Sequence, residues 1–210
     1  MRYVRSTVLL SLFMFLASCS SEPESPGERT ASPFDTTAVV QEGKAITRAT
    51  FKTLSSNLQK ALAEGGVSHA IKFCNVEAMP LTDSLSSNFG VQIKRVSHRP
   101  RNINNRADSL ELASVKTFLT QIENDEEPAP IVHRKGGDLV YHAPIRMASP
   151  LCLNCHGNPG TDIPPADLKV IKELYPQDEA TGFELSELRG IWVVLFPEQY
   201  FDSGKLQQPQ

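Results

Sequence analysis

Apolar side chains in the first half of the chain recur at helical spacing. Between residues 42 and 64, Phe51, Leu54, Leu58, Ala61 and Leu62 fall on one face, and Gly65-Gly66 closes the run. Ser68 can cap a second helix, on which Val67, Ile71, Cys74 and Ala78 share a face. Pro80 suits the first turn of a further short helix, with Leu81, Leu85 and Phe89 inward and Gly90 as its stop. An extended stretch over 91–97 and a polar loop from His98 to Asn105 follow. Asp108 with Glu111 then spells a capped start for a helix whose inner face carries Leu112, Val115, Leu119 and Ile122.

Beyond an acidic, turn-like stretch from Asp125 to Pro130, the pattern changes to strands. Ile131–Lys135 and Asp138–Ile145 flank Gly136-Gly137, which reads as a β-hairpin. Pro150 and the run Gly157-Asn158-Pro159-Gly160 mark the segment between them as a loop. A short helix over 166–174 and a closing strand over 190–196 complete the chain. Helices first and antiparallel strands later give an α+β class: N-terminal helices, then an antiparallel sheet with flanking helices.

The extreme N-terminus has a different character. Arg2 and Arg5 precede an apolar run from Val8 to Ala17, broken only by Ser11 and too short to span a bilayer comfortably. Leu16-Ala17-Ser18-Cys19 resembles a bacterial lipobox, so residues 1–18 are expected to be a signal peptide and Cys19 an acylated membrane anchor. Cleavage near Ala17 with a free Cys19 is the alternative. Residues 19–40 open with Ser, Glu, Pro and Thr and read as a disordered tether. The domain proper is set at 41–205. The expected location is the bacterial cell envelope, periplasm-facing, with Ser20 after Cys19 favouring the outer over the inner membrane.

The whole chain of 210 residues has a net charge of −3; without residues 1–18 it keeps 19 basic against 24 acidic residues, a net −5. That balance gives no electrostatic case for nucleic acid as a partner. Of four cysteines, Cys152 and Cys155 stand in Cys152-Leu153-Asn154-Cys155-His156. Two thiols at this spacing can form thioethers to one porphyrin, and the next histidine can then coordinate the iron. Chance matches at this composition number about 0.002, so one covalent haem c is expected, with His156 as an iron ligand. A thioredoxin-like dithiol would need a βαβ setting that the flanking Pro and Gly residues do not suggest. There is no second Cys-x-x-Cys for a paired zinc site. Cys74 is left over, and on its own residues it reads as a small apolar side chain on a helix face.

The chain also resembles a PAS-like c-type haem family long catalogued as a domain of unknown function. The resemblance rests on Ala70-Ile71-x-x-Cys74-Asn75, Arg95, Arg101-Asn102 and Tyr141-x-Ala143-Pro144-Ile145 before the haem motif. It continues in Leu174-Tyr175-Pro176-x-Asp178-x-Ala180-Thr181-Gly182 and Leu188-Arg189-Gly190, and spans roughly residues 45–197. It implies a PAS-like sheet and makes Cys74 a candidate second axial ligand. His69, His98, His133, His142, Met79 and Met147 are rivals for that position. Arg95 and Arg101 are either partners of the haem propionates or surface arginines in a polar loop.

The expected function is therefore an envelope-anchored, mono-haem cytochrome-like protein in electron transfer or redox sensing, with a redox or signalling protein as partner. A haem-based sensor of NO or CO is the alternative. No catalytic set is recognisable, so enzymatic activity is not expected.

Overall fold

A computed structural model describes residues 36–202. The signal peptide, Cys19 and most of the expected tether lie outside the described residues. Elements follow in the order α1 (Thr37–Phe89), β1 (Gln92–Val96), a 3-10 turn (Ile103–Asn105), α2 (Ser109–Glu123), β2 (Ile131–Lys135), β3 (Asp138–Arg146), α3 (Pro150–His156), α4 (Pro165–Leu174) and β4 (Leu188–Phe196). This is the expected α+β class. Helix α1 starts at Thr37, within the last residues of the stretch expected as a tether.

The four strands form one antiparallel sheet in the order β1-β4-β3-β2. The β2–β3 hairpin pairs Lys135 with Asp138 across the two glycines, and Gly136 adopts φ 64°, as a tight two-residue turn requires. Alternation along β3 and β4 divides the core in two. Tyr141, Ala143, Trp192, Val194 and Phe196 face Val39 and Ile46 of α1. Val140, Ile191 and Val193 face Val115 and Phe118 of α2.

Helix α1 breaks at Gly65 and Gly66, the latter at φ 71°, into two helical halves. Against expectation, its second half runs unbroken through Pro80. The helix face there is exposed, so the Val76 carbonyl that loses its donor can turn to water. Gly90 ends the helix in the left-handed conformation. Ser68 caps nothing; its hydroxyl donates across to Asp167 of α4. Near its start α1 lies very close to the sheet, since a Cβ at Gly43 would fall 2.5 Å from Cγ of Tyr141.

Two further expectations are corrected. The Asp108–Glu111 capping box is present, but Leu112 is 43% exposed, and Glu111, Ser114, Val115 and Phe118 form the buried face instead. Glu111 is drawn inward by the cap and by Lys94 of β1, which rotates the helix relative to its hydrophobic pattern. The segment expected as a loop around the two cysteines is helix α3. Pro150 occupies its first turn, where φ is already helical and no N–H is needed, and the Gly157 N–H closes it on Leu153 O at 2.8 Å.

Candidate functional site

The helical form of α3 has a chemical consequence. Cys152 and Cys155 stand three residues apart, on neighbouring positions of one helix face, with His156 next in chain. All three line one cavity of about 340 Å³, bounded by α1, the end of β1, the start of β4 and α3. Cys74 enters from α1, between Ile71 and Ala78, so this part of the expected face is turned to the cavity. The thiols of Cys74, Cys152 and Cys155 are all free. Burial raises the Cys74 thiol above its usual range and pushes Cys155 up to about 11, while Arg101 opposes both shifts.

His156 is held in one tautomer. Its Nδ1 lies 2.8 Å from the carbonyl oxygen of Ala180. A carbonyl oxygen only accepts, so Nδ1 carries the proton and Nε2 keeps its lone pair. Burial, with Arg189 and Arg101 nearby, holds the ring far below the ordinary histidine range and therefore neutral. A neutral imidazole with a protonated Nδ1 bound to a carbonyl is the form that ligates a metal.

The strap around this histidine is the segment 178–183. Asp178 Oδ1 accepts the Ala180 N–H at 2.9 Å and lies 3.1 Å from Arg101 Nε, an ion pair too bent to be a hydrogen bond. Arg101 Nη2 donates to the carbonyls of Cys155 and Ala180. The N–H groups of Gly182 and Phe183 return to the carbonyls of Gly157 and His156 at 2.8 and 2.9 Å. The C-terminal end of α3 is thus fastened from two directions.

A family model described as Tll0287-like matches residues 32–197. The chain belongs to the Tll0287-like family. A crystal structure titled as the cyanobacterial heme-protein Tll0287 superposes with a TM-score of 0.52 at 23% identity, over 80% of this chain and 98% of that one. The likeness extends over the α+β fold described above. No curated protein matches the chain.

Within this Tll0287-like fold the expected site residues separate. Cys74, Arg95, Arg101, Cys152, Cys155 and His156 all line the one cavity. Met79 and Met147 line it too, the first 43% exposed and the second buried. The other histidines do not. His69 lies beside Glu64, while His133 and His142 sit across the sheet against Ser114 of α2. His98 contacts the edge of Phe183.

The two arginines differ in state. Arg101 commits its guanidinium to Asp178, Cys155 and Ala180. Arg95 makes no hydrogen bond or ion pair among the described residues; it lies 5.9 Å over the Trp192 ring, and burial lowers its pKa. Arg189 lines the cavity as well and also lacks an ion pair among the described residues, but its guanidinium is held by Ser97 and Arg99; Arg95 is the one left to suit an anionic group on whatever fills the cavity. Phe51, 58% exposed, joins Met79 at the same wall, which leaves apolar surface there for a flat ligand to cover.

Sequence reasoning gave no chemical role to Arg189 or Asp178. Arg189 Nε stands 3.3 Å from His156 Nδ1, and its Nη1 donates to Ser97 Oγ and Arg99 O. Both residues stand in segments that carry the family resemblance, Arg189 in Leu188-Arg189-Gly190 just before the expected closing strand, but that says nothing of which histidine it meets.

Proposed function

We propose that this chain carries one c-type haem in the cavity and works as an envelope-anchored electron-transfer or redox-sensing protein. The observation that carries the reading is His156: its proton is fixed on Nδ1 by Ala180 O, one turn-end away from two free thiols lining the same cavity. Cys152 and Cys155 would each add their S–H across a vinyl group of the porphyrin, forming two thioethers without an external oxidant. His156 would hold the iron through Nε2, Cys74 would supply the second axial ligand, and Arg95 would take a propionate. Arg101 serves instead to brace α3. Haem held there supplies one-electron oxidation and reduction.

The residues present fit that group on three counts. The cavity has two thiols at thioether spacing, an imidazole in the metal-binding tautomer, and in Arg95 a guanidinium with no hydrogen bond or ion pair among the described residues. With both axial positions occupied by protein, the iron would exchange electrons and not bind substrate. Anchorage through an acylated Cys19 and an outer-membrane, periplasm-facing location belong to the same proposal, as does a separate redox or signalling protein as partner.

The test is retention of the group. Protein matured in a host competent for c-type haem attachment is unfolded and extracted with acid–acetone. Retained colour and a mass above the bare polypeptide are expected; a colourless chain at polypeptide mass refutes the reading. Absorption and EPR spectra of Cys74→Ala test the second ligand, with loss of the low-spin thiolate signal expected.

A further inference from the structure

We infer that Arg189 is a positioning residue whose charge, held against the far edge of His156, raises the reduction potential of the iron that His156 ligates. The inference rests on the haem reading above. Because Nδ1 donates to Ala180 O at 2.8 Å, it has no lone pair to offer the two guanidiniums beside it. Arg189 directs its Nε–H at Nδ1 from 3.3 Å and Arg101 Nη2 lies 3.2 Å from it; with the proton on Nδ1, both meet the ring chiefly as positive charges.

The two charges are not equivalent. Arg101 faces the Asp178 carboxylate, which largely offsets it at this distance. Arg189 has no ion pair among the described residues. Its Nη1 is held by Ser97 Oγ at 3.0 Å and Arg99 O at 3.1 Å, and its guanidinium lies 5.3 Å over Phe183, whose ring meets His156 edge to face at 6.4 Å. Those partners fix its position without neutralising it. Burial and the neighbouring arginines bring its pKa down to about 9 against the opposing pull of the Asp178 carboxylate, and it stays cationic at neutral pH.

The physical effect follows from sign. A cation with no ion-pair partner, held beside the ligating ring, opposes the build-up of positive charge on oxidation and weakens donation from the imidazole. It favours the reduced state. The Ala180 carbonyl and a thiolate ligand act in the opposite direction, so Arg189 is a counterweight to both.

The experiment is a spectroelectrochemical titration of the haem-loaded full chain as wild type, Arg189→Gln, Arg189→Lys and Ser97→Asp. Ser97→Asp places a carboxylate beside Arg189 and neutralises it without removing it. A lower midpoint potential is expected in Arg189→Gln and in Ser97→Asp, with Arg189→Lys staying near wild type and all three keeping the low-spin spectrum. Unchanged midpoints in Arg189→Gln and Ser97→Asp, at full haem content, overturn the inference. So does an equal fall in Arg189→Lys and Arg189→Gln, which would mark lost packing and not lost charge. If Arg189→Gln does not load haem, Ser97→Asp decides. A wild-type chain that binds no haem refutes the proposed function itself.

Discussion

Asp178 Oδ1 lies 3.1 Å from Arg101 Nε while also accepting the Ala180 N–H at 2.9 Å, with the two side chains only 7% and 12% exposed. One carboxylate thus positions both the guanidinium and the carbonyl that sets the His156 tautomer. Asp178→Ala strands a buried guanidinium and frees the strap at once. Breaking a buried pair from one side costs about 3–5 kcal/mol. The expected outcome is a loss of that order in chemical denaturation, with a lower yield of haem-loaded protein. A loss below about 1 kcal/mol would show that the strap does not depend on this pair.

Across the sheet, Ser114 Oγ links His133 Nε2 at 2.9 Å to His142 Nδ1 at 2.8 Å, and His142 Nε2 is buried without a partner. Burial, then His133 beside it, lowers the His142 pKa to about 4, with Lys94 acting in the same direction and Asp108 against it. A histidine depressed in the folded state is protonated first in the unfolded chain, so stability falls with pH between about 6.5 and 4. The loss from this group reaches at most about 3 kcal/mol. His142→Asn is expected to remove that part of the acid slope, read as unfolding free energy against pH by circular dichroism. Parallel slopes for the two proteins would contradict the assignment.

Gly43→Ala tests how closely α1 is seated. The added methyl would meet Cγ of Tyr141 at 2.5 Å, within the core cluster between α1 and the sheet. Alanine favours the helix by about 0.5–1 kcal/mol, whereas overpacking costs about 1–3 kcal/mol. A net destabilisation is expected in thermal melts, since neither backbone nor a ring between α1 and the sheet can easily give way. A higher melting temperature would mean that the helix can lift.

The chemistry of this fold was more legible than its geometry. Cys152, Cys155 and His156 stand together in sequence, so their convergence needed no fold. The β2–β3 hairpin was legible because Gly136-Gly137 specifies one turn. Local pattern failed where tertiary partners decided. Leu112 lost the inner face of α2 to Glu111, whose carboxylate is claimed by a cap and by Lys94. Pro80 in the local pattern spells a helix start, yet the exposed face lets the helix continue. Arg189 meets His156 from 33 residues away, through the strap and the sheet start, and no local spacing encodes that approach.

Carbon monoxide separates the two functional readings. If Cys74 holds the second axial position from α1, flanked by Ile71 and Ala78 on the cavity side, the reduced wild-type protein has no open coordination site. Its Soret band is then expected to stay unchanged under CO, as suits an electron carrier or redox sensor. Cys74→Ala opens that site beneath the same apolar helix face, so a shifted, CO-type Soret band is expected in the variant. The comparison is internal: the variant shows that CO reaches the iron, and the wild type shows that a protein ligand excludes it. A wild-type band that shifts as fully as the variant's would make Cys74 a displaceable ligand or none, and would move the function from electron transfer to gas sensing.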